Sequence, residues 1–157
     1  AYPARLKAEA LWASLAQALG PLEPPRPMMR RPGPMAGPLA RFRTFQFAFL
    51  REFGYDPSLK ADEVEGTIPQ ALLLMNNPVL ANRIRASDAN PLGKLLKQHA
   101  GDEDALNALY LRVLARKPTE RELQKCRKYV AKVGNRAEAF EDLLWALINS
   151  TEFQSKR

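Results

Sequence analysis

Two adjacent stretches decide the fold: Asp102-Glu-Asp-Ala-Leu-Asn-Ala-Leu-Tyr-Leu-Arg-Val-Leu114, and Thr119-Glu-Arg-Glu-Leu-Gln-Lys-Cys-Arg-Lys-Tyr-Val-Ala-Lys-Val133. In the first, Leu106, Leu109, Tyr110, Val113 and Leu114 recur at the i, i+3, i+4, i+7, i+8 spacing of one helix face. Asp102 precedes them as a candidate N-cap. In the second, Thr119 stands three residues before Glu122, the capping-box pattern in which each side chain satisfies the other residue's backbone N–H. Leu123, Cys126, Val130 and Val133 then share a face. Pro118 separates the two stretches and stops the first helix.

The same signals repeat on both sides. Downstream, Asn135-Arg136-Ala137-Glu138 opens a helix striped by Phe140, Leu143, Leu144, Leu147 and Ile148. Three amphipathic helices joined by loops of a few residues are expected to pack as antiparallel neighbours. Upstream, Asn90-Pro91 begins a short helix ending near His99 and Gly101, and Asn77-Pro78 begins another, because proline is tolerated at a first helical position. Thr67 and Gln70 form a further capping-box pattern, opening a helix through Leu72 to Met75 that ends at Asn76-Asn77. Gly54–Gly66 reads as a loop holding the acidic residues Asp62, Glu63 and Glu65. Residues 42–53 fit either period: Phe45, Phe47 and Phe49 alternate, while Phe42, Phe45, Phe49 and Phe53 follow a helix face. With no second strand to pair with, helix is the expectation. Residues 21–38 contain seven prolines, which preclude helix and interior strand and predict an extended arm. Ala4 to Leu19 is predicted helical, with Pro3 at its entry and Gly20 at its exit.

The expected fold is therefore all-α: a compact bundle of about six helices with a proline-rich extended arm near the N-terminus. Within a single domain over 1–157, residues 1–20 form an N-terminal helix, 21–41 the proline/arginine arm, 42–66 an aromatic segment and loop, and 67–157 the helical body. A chain of 157 residues buries enough surface to fold without a metal or disulfide. One cysteine excludes an internal disulfide and a C-x-x-C-H haem attachment in this chain. No apolar run reaches the roughly 18 residues of a membrane span, no secretion signal opens the sequence, and no internal repeat suggests a solenoid. The charge is uneven: the first 51 residues carry eight Lys/Arg against two Asp/Glu, while the remainder is near neutral.

Three segments taken in order resemble a known family: Thr67–Pro78, Leu109–Glu122 and Phe140–Phe153. They are similar to the C-terminal domain of large planctomycete proteins, the domain of unknown function labelled fifteen-fifty-three, which often follows a planctomycete-type cytochrome c module. The likeness is strongest from Phe53 onward. It implies a fragment of a larger exported protein, sited in the periplasm or cell envelope, with any haem held in an upstream module and no cofactor in this chain. It carries over no catalytic residue.

Candidate sites weigh toward structure. His99 is the single histidine, so it lacks partners for a metal site and reads as a helix-end residue. Cys126 shares an apolar face and reads as a buried inert thiol, despite the basic Lys125, Arg127 and Lys128 beside it. Asp62, Glu63 and Glu65 lack the glycine and distant glutamate of a calcium loop. No serine lies in a G-x-S-x-G elbow, and no glycine-rich phosphate loop is present. No catalytic or metal site is therefore expected. Thr67, Gln70, Asn76, Thr119, Glu122 and Asn149 are expected to tie helix ends. The best binding candidates are Arg26, Arg30, Arg31, Arg41 and Arg43, which with the prolines could lie along an acidic protein or an anionic glycan. Nucleic acid is disfavoured, since no reading module or stacking aromatics accompany the charge. The expected role is a non-catalytic interaction or scaffolding domain docking other domains of its parent. The alternative is an accessory domain of a haem-linked oxidoreductase or polysaccharide-acting enzyme. On the first of these readings, the helical body should fold without residues Ala1 to Pro38.

Overall fold

The computed structural model describes residues 4–22, 46–54, 74 and 76–156. The described residues are almost entirely helical. Helix α1 spans Ala8–Leu19, and α2 denotes the helical residues 46–53. They are followed by α3 (Pro78–Ile84), α4 (Pro91–Gln98), α5 (Asp102–Leu114), α6 (Glu120–Val133), α7 (Arg136–Ile148) and the short α8 (Thr151–Gln154). The all-α expectation holds. The proline arm (23–41), the loop 55–66 and the capping box at Thr67 and Gln70 lie outside the described residues, as do Arg26, Arg30, Arg31, Arg41, Arg43 and the acidic trio Asp62, Glu63 and Glu65. Of the helix expected before Asn76, Leu74 is described; it is helical and buried.

Helices α5, α6 and α7 contact one another pairwise, and α4 packs on both α5 and α7. The stripes read from sequence supply the interior: Leu106, Leu109, Tyr110 and Val113 from α5, Leu123, Cys126 and Val130 from α6, Phe140, Leu144, Leu147 and Ile148 from α7. Helices α3, α6 and α7 start on side-chain caps. The Asn77 side chain accepts from the N–H groups of Val79 and Leu80 ahead of Pro78. Thr119 and Glu122 form the reciprocal capping box, and Asn135 accepts from the Glu138 N–H. Helix α6 ends on Gly134, whose φ of 74° is open to glycine without strain.

Residues 46–53 resolve the period ambiguity in favour of helix. Phe49 and Phe53, four residues apart, are buried and stacked with ring centroids 4.4 Å apart, while Phe47 is 73% exposed. A half-buried strand would place Phe47 and Phe49 on the same face. The Phe49 ring also meets Trp12 of α1 edge-on at 5.1 Å.

Three expectations are corrected. Residues Ala4–Arg5 are not the first turn of α1 but pair antiparallel with Ser155–Lys156 near the other end of the chain, with the Leu6 N–H donating to the Gln154 carbonyl. Asp102 is not an N-cap: Gly101 occupies that position without a side-chain cap, and Asp102 is the first helical residue. Nor is α1 peripheral to the helical body. Ala8, Leu11, Leu15, Ala18 and Leu19 are all at most 4% exposed, and α1 packs on α3, α4 and α5. Removing Ala1–Pro38 would therefore expose the centre of the core rather than trim an appendage.

Candidate functional site

The densest polar cluster lies where α5 turns into α6. Helix α5 ends at Ala115, which takes a left-handed conformation with φ 55°, and Arg116 follows immediately. A guanidinium has five N–H donors in a fixed plane, and all five find acceptors here. Nε donates to Glu152 Oε1 (2.8 Å). Nη1 donates to the Lys117 carbonyl (3.0 Å) and Glu122 Oε2 (2.8 Å). Nη2 donates to Glu122 Oε1 (2.8 Å) and Glu152 Oε2 (2.7 Å). The guanidinium carbon also sits 5.6 Å from the centre of the Tyr110 ring. Arg116 thereby joins α5, the first turn of α6 and α8.

The electrostatics follow from those contacts. The Arg116 hydrogen bonds, assisted by Thr119, hold the Glu122 carboxyl down to about 2 despite its partial burial. Behind them, the Tyr110 hydroxyl lies 3.7 Å from Cys126 Sγ. Burial pushes the Cys126 thiol up, and burial together with the Cys126 contact pushes the Tyr110 phenol well up. Both groups stay protonated near neutral pH, so the thiol is a poor nucleophile. Arg116 has no donor left for an incoming anion. The cluster fixes three elements in place, and no proton or group transfer at neutral pH is written into it.

A second arginine acts at another corner. Arg136, the first residue of α7, donates from Nε to Asp102 Oδ1 (2.8 Å) and from its two Nη atoms to the carbonyls of Leu96 (3.1 Å) and His99 (2.6 Å), above the Phe140 ring at 5.4 Å. Leu96 and His99 lie at the C-terminal end of α4, where cations are favoured by exposed carbonyls and the helix dipole. Arg112 serves α1 in the same way, donating to the carbonyls of Gln17 (3.1 Å) and Ala18 (2.8 Å). Asn90, the one buried polar residue among those described, donates to the carbonyls of Asn82 and Arg85, closing the end of α3. The Ala86 N–H donates to Glu141 of α7 at 2.7 Å.

Of the residues singled out from sequence, Thr119 and Glu122 form the capping box, and Glu122 also belongs to the Arg116 cluster. Asn149 Nδ2 donates to the Trp145 carbonyl at the end of α7 (2.9 Å), and Ser150 caps α8. Asn76 is exposed in a turn; the cap at that point belongs to its neighbour Asn77. His99 is the C-cap residue of α4 and offers its backbone carbonyl, not its ring, to Arg136. Sequence reasoning missed Arg112, Arg116 and Arg136, whose partners lie up to 95 positions away. An open groove of about 250 Å³ runs beside α1, α5 and α8, with Gln17, Leu111, Arg112, Glu152 and Phe153 among its walls. Among the described residues, no group of three or more metal-ligating side chains converges and no helix is long and apolar enough to cross a membrane.

The picture is of an all-α domain whose interior and half-buried polar groups bind its helices to one another. Residues 38–130 match a family model described as PSD1: Protein of unknown function (DUF1553). That span exceeds half of the chain, and the chain belongs to this family. It takes in two of the three segments that carried the resemblance and ends before the third, Phe140–Phe153. No curated protein and no solved structure matches the chain.

Proposed function

We propose that this chain is a non-catalytic interaction domain of a larger, exported protein, holding neighbouring domains of its parent in place. The observation that carries the reading is the Arg116 cluster: every guanidinium donor, the two carboxylates and the thiol behind them serve the junction of α5, α6 and α8. An enzyme site needs polar groups held ready for a substrate, and these are engaged with each other. The groove beside α1 is open and edged by Leu111, a large apolar side chain 48% exposed. An exposed apolar residue at a polar rim suits contact with another domain. Resemblance to planctomycete proteins bearing cytochrome c modules motivates the exported parent, with haem chemistry upstream of this domain.

The test is association in trans. The chain and the remainder of its parent polypeptide, produced separately, are expected to co-elute on size exclusion, and Leu111→Lys should weaken that complex while leaving the circular dichroism of the chain unchanged. Separate elution of the two pieces would sink the proposal.

A further inference from the structure

Helix α6 carries Arg121, Lys125, Lys128 and Lys132 at the i, i+4, i+7, i+11 positions of a single face, and all four are exposed. At 1.5 Å per residue, the stripe places a positive charge about every 4.5–6 Å along about 16 Å of helix. None of the four makes an ion pair or a side-chain hydrogen bond among the described residues. Acids do stand along its flanks, but they are engaged elsewhere: Glu103 with Arg127 at 3.4 Å, and Asp142 with the Tyr129 hydroxyl at 2.7 Å. On α6 itself, Glu122 belongs to Arg116, and Glu120 accepts from Gln124 at 3.1 Å.

A face kept only for solubility mixes signs, because like charges three or four apart on a helix repel by a few tenths of a kcal/mol per pair. This one sets Arg121 against Lys125, Lys125 against Lys128 and Lys128 against Lys132, with no acid paired to any of the four among the described residues. A bound polyanion removes that repulsion. The stripe itself holds no apolar or aromatic residue, the neighbouring Tyr129 keeping its hydroxyl on Asp142, and lysine is depleted in the cores of protein interfaces. Nucleic acid fits less well, because single-strand binders add stacking aromatics and the stripe itself carries none. A linear polymer of uronic acids presents one carboxylate per sugar ring, and a ring is about as long as one helical turn.

We propose that this face of α6 binds a linear acidic polysaccharide of the uronic-acid type, one carboxylate to each cation. The assignment rests on the reading of the chain as an interaction domain, yet its test is separate from association with the parent, so either can fail alone. Sodium polygalacturonate is titrated into the full chain at low and at high salt, with neutral dextran, polyglutamate and duplex DNA as comparators. The expected result is salt-sensitive binding of polygalacturonate with none of dextran. Each cation is worth about 1.4- to fivefold in affinity, the range of exposed ion pairs, so R121Q/K125Q/K128Q/K132Q loses about fourfold or more. If that variant does not keep the parent circular dichroism, K125Q/K128Q serves instead, with an expected loss of about twofold or more. Absence of binding at low salt, or unchanged affinity in the folded variants, overturns the proposal. So does equally tight binding of DNA or polyglutamate that depends equally on the four cations.

Discussion

The Arg116 and Arg136 corners are built on one plan with different partners. Each arginine lies over an aromatic ring, Tyr110 or Phe140, and joins helices adjacent in the bundle. Arg116 is met by two carboxylates and one carbonyl. Arg136 is met by one carboxylate and two carbonyls from the end of α4. The carbonyl partners cannot titrate, whereas the carboxylate pair needs the cation to offset its mutual repulsion. The same residue type thus makes a charge-dependent junction in one place and a helix cap in the other.

The rings beneath should dominate the energetics. Phe140 is fully buried, so Phe140→Ala is expected to cost about 3–5 kcal/mol, a large part of the roughly 5–15 kcal/mol by which domains are stable. Urea denaturation followed by circular dichroism would measure it; a loss under 1 kcal/mol would mean that the α7 face is not the core surface described. The arginines come next. Arg116→Met leaves Glu122 and Glu152 facing each other half-buried and should cost about 2–3 kcal/mol. Arg136→Met frees one half-exposed carboxylate and two carbonyls that water can reach, and should cost about 1–2 kcal/mol. The reverse order would break the comparison.

These junctions were also the part that sequence could not disclose. The caps at Thr119 and Asn135 act over three residues, and the apolar stripes of α5 to α7 are periodic, so both were readable from local pattern; at the start of α3 the cap is Asn77 and not the Asn76 singled out from sequence. Arg116 reaches Glu152 and Arg136 reaches Leu96 across 36 and 40 positions, and no local rule names such a partner. Asp102 misled for that reason: it looks like a cap, yet its carboxylate belongs to Arg136. Asn90 sits where an N-cap should be, but its side chain turns back to the carbonyls of Asn82 and Arg85. Gly93 carried no signal at all. A Cβ there would collide with the Ser87 carbonyl, an approach visible only once the loop before α4 has folded against it. The weight of α1 in the core was underestimated because the proline arm after it reads as a boundary.

Acid should separate the two corners. The unfolded chain protonates Glu122 near its ordinary value of 4.5, the folded chain only near 2. Protons therefore bind the unfolded state first, and the stability contributed by Glu122 is complete above about pH 4.5 and lost as pH falls toward 2. Arg116→Met removes the main cause of the depression, so its unfolding midpoint should depend less steeply on pH across that window than that of the parent or of Arg136→Met. Equal slopes in all three would show that the carboxylate pair is not what Arg116 stabilises.

The finest distinction concerns the caps. Thr119→Ala and Asn135→Ala each remove an N-cap oxygen and should each cost about 1 kcal/mol. They differ in what else they touch. Thr119 shares Glu122 with Arg116, so losing the cap loosens a carboxylate that the arginine also holds. Asn135 accepts from Glu138, which takes no part in the Arg136 contacts described. Side chains that share a partner couple, and those that do not are nearly additive. A double-mutant cycle of Thr119→Ala with Arg116→Met is therefore expected to show a coupling of about 0.5–1 kcal/mol, against less than about 0.5 kcal/mol for Asn135→Ala with Arg136→Met. Equal coupling in both cycles would mean that the first turn of α6 is held by its own capping box alone, and that Arg116 secures α8 without reinforcing it.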